Sequence, residues 1–322
     1  NTTPHQATVT ISGIALIIIN MKKLLLILTI FFSLYSSGQS PMFKLIAKRA
    51  VAVSCSYPLD DYTGAEAAFS LRKIGSAYAG SAIRVRRSSD NTEQDIGFTG
   101  CNLDTSTLKT FVGTGGTDDG FIVTWYDQSG NTFDVTQATS GTQPKIMGNG
   151  VIYRLGGLPF AYFEGSRYLE RANIMSAASS ATLIMVAKND ADPPSCNTCG
   201  TALELIGNNN ASHLPYSDGV VYDGFASQTR KTTGNPTASL ASKFLLFTTS
   251  AASDWKMYIN NSLHYSTATN VYTSNSNLIV GASRFYTFSY KGYISEIILY
   301  DSNKESDRSG ISSSINSYYS IY

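Results

Sequence analysis

Cysteines and isolated acidic residues are the side chains of this sequence whose types and spacing could do chemistry. Cys196 and Cys199 form a C-x-x-C pattern, which is typical of a redox motif, half a zinc site or a local disulfide. Two prolines rather than a strand precede the pattern, and none of the three histidines lies at ligand spacing. A disulfide that closes this loop is therefore the favoured interpretation, while Cys55 and Cys101 either pair with each other or stay free.

The run Tyr126-Asp127-Gln128-Ser129-Gly130-Asn131 places an aspartate two residues before a serine and next to tight-turn residues. An aspartate at this spacing predicts an Asx-type turn, in which the carboxylate accepts hydrogen bonds from its own backbone. We therefore interpret Tyr126, Asp127, Ser129, Gly130 and Asn131 as a structural motif.

A further acidic residue, Glu204, lies in the short apolar segment 202–206, where it could face a cleft or the solvent. No Ser/His/Asp set, phosphate-binding loop or metal cluster is apparent elsewhere. The sequence thus predicts neither a metal nor a cofactor.

Composition limits the class of partner. The 24 Lys and Arg residues nearly balance the 23 Asp and Glu residues, so the formal net charge is +1. This balance gives no electrostatic basis for binding nucleic acid. The chain has 20 Tyr and 15 Phe residues, and aromatic faces with neutral polar groups suit sugar ligands, although tyrosine is also simply a good strand residue.

The elements that would hold these residues are mainly short strands separated by turn-rich connections. Such a pattern predicts an all-β sandwich rather than an α/β sheet. One helix is expected over Gly64–Tyr78, where Ala67, Leu71 and Ile74 recur at helical spacing. A second, short helix is expected over Asp307–Tyr318, with Ile311 and Ile315 covering the sheet edge. Predicted strands are Ala82–Arg87, Phe121–Tyr126, Tyr153–Leu155, Phe160–Glu164, Thr182–Lys188, Ala202–Ile206, Val220–Phe225, Lys243–Ser250, Trp255–Ile259, Leu278–Gly281 and Tyr290–Tyr300.

The N-terminal part reads as a targeting segment. Residues 21–38 begin with Met-Lys-Lys, continue with an apolar run and end in small residues, which is typical of a secretory signal peptide. Residues 1–20 are interpreted as a non-native upstream extension, and residues 39–322 as a single domain. We expect a secreted, extracellular or periplasmic protein that makes no stable membrane insertion after cleavage, begins near Gln39 and contains at least one disulfide.

Residues 123–131, Val-Thr-Trp-Tyr-Asp-Gln-Ser-Gly-Asn, resemble the catalytic domain of the α-L-arabinofuranosidase B family. The segments Phe69-Ser-Leu-Arg and Tyr78-Ala-Gly are similar to the same family in order and spacing. Near the C-terminus, residues 292–300 resemble the last strand of concanavalin A-like, laminin-G-like secreted domains. The resemblance implies a concanavalin A-like β-sandwich (jelly roll) and a retaining glycoside hydrolase with a nucleophilic and an acidic carboxyl group.

The resemblance also implies site residues. The family nucleophile is a glutamate whose nearest match here is Asp223, one methylene shorter, and Asp127 is an alternative catalytic acid because it lies in the best-matched motif. The family acid follows a Gly-rich strand end, but residues 280–284 read Val-Gly-Ala-Ser-Arg and carry no carboxylate. Glu204 or Asp218 would then substitute. Carbohydrate contacts are implied at Tyr222, Cys196, Cys199 and Arg284, although the family cysteines are adjacent and these are not.

These departures lead to two expectations of function. The first is a carbohydrate-active domain that binds an arabinose- or galactose-containing polysaccharide or oligosaccharide and hydrolyses arabinofuranosides weakly or not at all, because a general acid is missing. The alternative is a non-catalytic glycan-binding or adhesion module on a cell surface or a phage particle.

Overall fold

The structure is a computed structural model that describes residues 55–113, 115–175, 177–205, 212–273 and 277–322. These residues belong to one compact unit. The predictions of an upstream extension at residues 1–20 and a signal peptide at residues 21–38 lie outside the described residues, as does the start of the predicted domain 39–322.

Short strands dominate the described chain, as the sequence predicts. The helices are α1 (Pro58–Asp61), α2 (Thr105–Val112) and α3 (Arg308–Tyr319), with 3-10 turns at Ser140–Thr142 and Glu305–Asp307. The strands are β1 (Ala65–Ser70), β2 (Ile83–Arg87), β3 (Glu93–Ile96), β4 (Phe98–Thr99), β5 (Asn102–Leu103), β6 (Gly120–Trp125), β7 (Val135–Thr136), β8 (Lys145–Gly148), β9 (Val151–Ile152), β10 (Arg154–Leu155), β11 (Leu158–Pro159), β12 (Ala161–Glu164), β13 (Leu169–Arg171), β14 (Ser180–Asn189), β15 (Leu203–Leu205), β16 (Val221–Asp223), β17 (Lys231–Gly234), β18 (Phe244–Ala251), β19 (Asp254–Ile259), β20 (Ser262–Thr267), β21 (Leu278–Val280) and β22 (Lys291–Tyr300).

Within the described ranges, 16 strands join in one antiparallel sheet, whose main path is β15-β21-β13-β7-β6-β8-β12-β22-β14-β18-β19-β20. β1 pairs with β22, and β2 pairs with β3 and β6. The sheet folds over on itself, because Leu203 near one end of the path and Trp255 near the other belong to the same buried apolar cluster. The architecture is therefore an all-β sandwich, and the predicted fold class is confirmed.

The central strands are buried on both faces. In β14, Leu183 and Met185 contribute to the main core, while Ile184 and Val186 contribute to a second apolar cluster on the opposite face. Helix α3 covers this second cluster with Ile311, Ile315 and Tyr319. The C-terminal helix thus forms where it was predicted, but it covers the face of the central strands rather than the sheet edge.

The prediction of a helix over Gly64–Tyr78 is wrong, because this segment contains strand β1, paired antiparallel with β22. Ala67 and Phe69 face the main core, whereas Ala68 faces the second cluster. A strand buried on both faces loses the alternation of apolar and polar residues that identifies strands in a sequence. Its apolar residues then match a helical spacing by coincidence.

A buried ion pair joins Arg72, two residues after β1, to Glu296 in β22. Nε of Arg72 lies 2.7 Å from Oε2 of Glu296, and both side chains are 1% exposed. The guanidinium carbon of Arg72 also lies 4.6 Å from the ring centroid of Tyr318 in α3. The pair therefore links the N-terminal strand, the last strand and the C-terminal helix.

The predicted disulfide of Cys196 with Cys199 is present, and Cys55 pairs with Cys101. The second pairing settles the alternative that the sequence left open. Among the described residues, none of the helices has the length and apolar character to cross a membrane.

Candidate active site

The structure brings two of the predicted acidic residues together. Glu204 is the central residue of β15, opposite Ile279 of β21, and Asp223 is the last residue of β16. Glu204 is 4% exposed and Asp223 is 6% exposed. The charge on Asp223 contributes to raising the pKa of Glu204, so the two carboxyl groups lie within electrostatic reach of each other.

Glu204 has the properties of a general acid. Its burial raises the pKa of the carboxyl group to about 7, against the opposing effects of a backbone hydrogen bond and the positive charge of Arg284. The backbone N–H of Arg284 donates to Oε2 of Glu204 over 2.7 Å. A carboxyl group with this pKa still holds its proton near neutral pH, as donation to a leaving oxygen requires.

Two hydrogen bonds reach the same carboxyl oxygen of Asp223. The hydroxyl of Ser212 and the backbone N–H of Phe225 both donate to Oδ1, over 2.8 Å and 2.9 Å. Burial raises the pKa of Asp223 above its ordinary value, and these hydrogen bonds oppose the rise by favouring the ionised form. Both of these donors contact Oδ1 rather than Oδ2.

Asp223 lines a cavity beside an aromatic pocket. Ser212, His213 and Tyr222 line this cavity with Asp223, and His213 and Tyr222 also line the adjacent pocket. The remaining walls of that pocket are Tyr216, Arg230 and Phe288. Such a combination of aromatic faces with a few polar groups is typical of a sugar site.

His213 is a site residue that sequence reasoning missed. Its side chain is 3% exposed, and the rings of Tyr216 and Phe288 each lie 4.9 Å from the imidazole centroid. Burial lowers the pKa of His213 to about 4, so the ring is neutral at physiological pH. Its Nδ1 has no hydrogen-bond partner among the described residues. A search of the sequence for metal-ligand spacings does not detect such a residue. His213 reaches the cavity through its β-bridge with Tyr222, which exists only in the folded chain.

Asp218 does not join the carboxyl pair. It is exposed, accepts a hydrogen bond from the backbone of Val220 over 2.9 Å, and accepts another from the hydroxyl of Tyr222, also over 2.9 Å. Neither Asp218 nor Glu204 lines the two cavities, so exposure is what distinguishes Asp218 from the buried Glu204. Its role in the described chain is to order the turn before β16 and to fix the ring of Tyr222, which Arg230 covers at 5.0 Å.

The cysteine loop lies beside the aromatic pocket. The backbone N–H of Ser289 donates to the carbonyl of Thr198 over 2.7 Å, and Gly200 N–H donates to the carbonyl of Ser289 over 2.8 Å. Cys196 and Cys199 are half-buried and line neither cavity. Gly200 has φ of +139°, and a Cβ there would lie 2.4 Å from the carbonyl oxygen of Pro215, so a larger residue would displace this wall.

Arg284 contributes a backbone hydrogen bond and a positive charge to Glu204. Its N–H holds Glu204, while the side chain is exposed and its guanidinium carbon lies 5.5 Å from the ring centroid of Phe285. The predicted sugar contacts of Arg284, Tyr222, Cys196 and Cys199 therefore remain predictions.

Asp127 is positioned as a fold element. Its Oδ1 accepts from the backbone N–H groups of Ala68 and Ser129, each over 2.8 Å. Its Oδ2 accepts from the hydroxyl of Ser129 over 2.7 Å and from the N–H of Phe133 over 3.0 Å. Four donors occupy this carboxylate, and two of them come from Ser129, as in an Asx-type turn. The contact with Ala68 fastens the turn after β6 to strand β1.

The rest of the motif strengthens this attachment. The side-chain amide of Asn131 donates to the carbonyls of Ala65 and Glu66, over 3.2 Å and 3.0 Å. Gly130 has φ of +96°, which only glycine adopts readily, and the hydroxyl of Tyr126 donates to Asp95 over 2.7 Å.

Residues 57–152 match the family profile described as α-L-arabinofuranosidase B, catalytic. This range contains the Asp127 motif but neither Glu204 nor Asp223. No curated protein sequence matches the chain.

Solved structures of arabinofuranosidases share the fold. An arabinofuranosidase in complex with arabinofuranosyl-α-1,2-xylobiose superposes with a TM-score of 0.62 at 17% identity, covering 81% of this chain and 65% of that one. A glutamate-to-glutamine mutant of a glycoside hydrolase family 54 α-L-arabinofuranosidase, soaked with 4-nitrophenyl α-L-arabinofuranoside, gives a TM-score of 0.59 at 15% identity, covering 80% and 64%. An enzyme of that family soaked with a cyclic sulfate inhibitor gives 0.59 at 16% identity, again covering 80% and 64%. This chain thus spans slightly less than two thirds of each, has the fold of these arabinofuranosidases, and carries the sequence pattern of their catalytic domain in residues 57–152.

Proposed function

We propose that this chain is a retaining glycoside hydrolase that cleaves α-L-arabinofuranosyl linkages, with Asp223 as nucleophile and Glu204 as general acid and base. One observation carries the proposal. In the family that the sequence resembles, the acid follows a Gly-rich strand end, which corresponds to residues 281–284 of this chain. No carboxylate stands there in the sequence, but Oε2 of Glu204 lies 2.7 Å from the backbone nitrogen of Arg284. Glu204 on strand β15 is therefore our candidate for the carboxyl group that residues 281–284 lack.

The protonation states of Glu204 and Asp223 suit the roles of general acid and nucleophile. Glu204 has its pKa raised to about 7 by burial and so donates a proton to the leaving oxygen. Asp223, whose Oδ1 accepts hydrogen bonds from Ser212 and Phe225, attacks the anomeric carbon through Oδ2 and forms a glycosyl ester. Glu204, now ionised, takes a proton from water, which attacks the same carbon and releases Asp223.

This assignment changes the expectation drawn from the sequence. Weak or absent hydrolysis was expected because residues 280–284 carry no acid. Glu204 removes that reason, since a general acid contributes about 10²- to 10⁴-fold to a rate irrespective of the strand that carries it.

The aromatic pocket supports an arabinose- or galactose-containing saccharide as the partner. The rings of His213, Tyr216, Tyr222 and Phe288 offer apolar faces for the C–H surfaces of a sugar. Nδ1 of the neutral His213 offers a polar contact for a hydroxyl group, because it has no partner among the described residues.

We also propose that the protein is exported and that its fold belongs to the concanavalin A-like superfamily. The apolar run in residues 21–38 and the two disulfides support export, because disulfides persist in oxidising compartments. The sandwich architecture supports the superfamily.

A non-catalytic glycan-binding or adhesion module is the competing proposal. The aromatic pocket favours it, because binding of a sugar in the ground state needs neither carboxyl group. The two proposals differ in turnover alone.

The test is hydrolysis of 4-nitrophenyl α-L-arabinofuranoside and of arabinofuranosyl-xylobiose, followed by proton NMR of the first sugar released. We expect α-L-arabinofuranose to appear first, since two displacements at one carbon retain its configuration. Release of the β-anomer first would exclude the retaining assignment. Binding of the oligosaccharide without any turnover would establish the competing proposal.

A further inference from the structure

The loop that follows β21 presents two large aromatic side chains to solvent. Phe285 is 59% exposed and Tyr286 is 49% exposed. Most large aromatic side chains of the described chain are buried or half-buried, because leaving such a ring in water forgoes much of its hydrophobic stabilisation. Exposed rings that are adjacent in the chain indicate a binding surface.

The ring of Tyr286 is held in place. The hydroxyl of Tyr286 donates to Oε2 of Glu170 over 2.7 Å, and its ring centroid lies 4.6 Å from that of Tyr168. The backbone of Tyr286 has φ of +56°, in the left-handed region that a bulky residue rarely adopts. A strained residue whose side chain is both anchored and exposed is typical of a functional site. Tyr168, Phe285 and Tyr286 are referred to below as the aromatic platform.

The same loop forms part of the candidate active site. The N–H of Arg284, one residue before Phe285, holds Glu204, and Phe288 packs against His213 at 4.9 Å between ring centroids. The aromatic platform therefore begins beside Arg284, the residue that holds the proposed acid Glu204, and extends to the solvent. Since that acid donates its proton to the leaving oxygen, the group beyond it is the sugar that departs.

We propose that the aromatic platform binds the leaving-group side of the substrate, a chain of neutral pyranose sugars. This inference rests on the proposed function, because it takes Glu204 as the acid. Pyranose rings fit the platform because their C–H faces stack on aromatic rings while their hydroxyl groups stay in water. Nearby Glu170 and Arg284 have opposite charges, and Glu170 is occupied by Tyr286, so the surface favours a neutral ligand.

The test measures binding without catalysis. Titration calorimetry with β-1,4-linked xylotetraose and galactotetraose reports the leaving-group side alone, since neither contains arabinofuranose. We expect the wild-type protein to bind at least one of them, and Phe285→Ala and Tyr286→Ala each to weaken that binding roughly five- to tenfold, as loss of one stacking contact implies.

Matched variants separate stacking from folding. Leu263→Ala removes an apolar side chain that is 57% exposed on β20, and it should leave binding and the thermal unfolding midpoint unchanged. Tyr286→Phe keeps the ring but loses the hydrogen bond to Glu170, and it should bind within about twofold of the wild type.

The inference is overturned by failure of both tetrasaccharides to bind, or by unchanged affinity in both alanine variants. It is also overturned if the alanine variants change the sedimentation coefficient, because the platform would then be a contact between two copies of the chain. Failure of the proposed function looks different: no arabinofuranoside is hydrolysed, yet tetrasaccharide binding still depends on Phe285 and Tyr286.

Discussion

The two halves of the molecule each bury an important carboxylate, and they treat it differently. In the region that matches the family profile, Asp127 accepts four hydrogen bonds from Ala68, Ser129 and Phe133. In the region beyond it, Glu204 accepts one hydrogen bond, from the N–H of Arg284, among the described residues. A buried carboxylate whose oxygens accept four hydrogen bonds holds the structure together, whereas Glu204, with one such bond and a pKa raised by burial to about 7, can give a proton away.

Asp127 therefore serves the fold, whereas Glu204 is a candidate for chemistry. The motif around Asp127 identifies the scaffold because Asp127, Ser129 and Asn131 attach the turn after β6 to β1, and Tyr126 bonds to β3. The site instead combines residues from β15, β16 and the loop after β21, so its residues need not stand in one sequence pattern. Substitutions in the two regions should therefore differ in effect: changes at Asp127 should lower stability, and changes at Glu204 and Asp223 should lower turnover.

The largest expected effect is on turnover. Asp223→Asn should lower kcat/KM for arabinofuranosyl-xylobiose about 10³-fold or more, because an amide cannot replace the nucleophile. Glu204→Gln should cost about 10²- to 10⁴-fold on this substrate and much less on the 4-nitrophenyl glycoside, whose leaving group needs little protonation. Steady-state kinetics on both substrates measures this.

Asp218→Asn is the matched control for these variants. It changes an exposed carboxylate that accepts hydrogen bonds from Val220 and Tyr222, and turnover should stay within about tenfold. A loss as large as that of Glu204→Gln would transfer the acid role to Asp218.

A large loss of stability is expected from the buried ion pair. Glu296→Ala leaves Arg72 charged and without its carboxylate in a site that is 1% exposed, which should cost about 3–5 kcal/mol. Chemical denaturation measures the free energy of unfolding. Glu93→Ala removes the partner of Arg84 in a pair whose side chains are 41% and 35% exposed, and it should cost about 1 kcal/mol or less. Equal losses of unfolding free energy in Glu296→Ala and Glu93→Ala would show that burial does not determine how much an ion pair contributes to stability.

A smaller loss of stability is expected at Asp127. Asp127→Ala leaves three buried or half-buried N–H groups without acceptors and should lower the free energy of unfolding by about 2–3 kcal/mol. Residual folded protein should keep its kcat. Unchanged stability with lost turnover would make this motif part of the active site and would contradict the comparison.

The smallest expected effect is on the pH dependence of kcat/KM. Glu204 must be protonated, and burial raises its pKa to about 7, so activity should fall about tenfold per pH unit above pH 7. Asp223 must be ionised, and its pKa is raised too, so the acidic limb should lie above the ordinary range for aspartate. In Glu204→Gln the basic limb should disappear. A basic limb that survives this change belongs to another group.

The fold was largely predictable from the sequence, because short apolar runs between turns indicate strands even when the sequence does not show which strands pair. The segment 65–70 was the exception, since burial on both faces hides the strand alternation of Ala67, Ala68 and Phe69. The sequence did not decide whether Glu204 faces a cleft or the solvent, because the register of β15 determines the side to which its side chain points.

The site could be predicted only in part. Asp223 was a candidate through its family resemblance, Glu204 was named as a substitute without a reason for its position, and both remain predictions. The contact of Glu204 with Arg284 joins residues 80 positions apart, and His213 reaches the cavity through a bridge to Tyr222. Such long-range contacts leave no local pattern, so no spacing rule could have detected them.

The central claim is that Asp223 and Glu204 form a retaining pair, and trapping the glycosyl-enzyme tests it most directly. In Glu204→Gln, an activated glycoside still reacts with Asp223, but the ester accumulates because no base activates water. Mass spectrometry of the variant incubated with 4-nitrophenyl α-L-arabinofuranoside should show one pentosyl group on the peptide that contains Asp223, with a burst of nitrophenol. A pentosyl group on a different residue, or wild-type protein that releases no nitrophenol, would contradict the account.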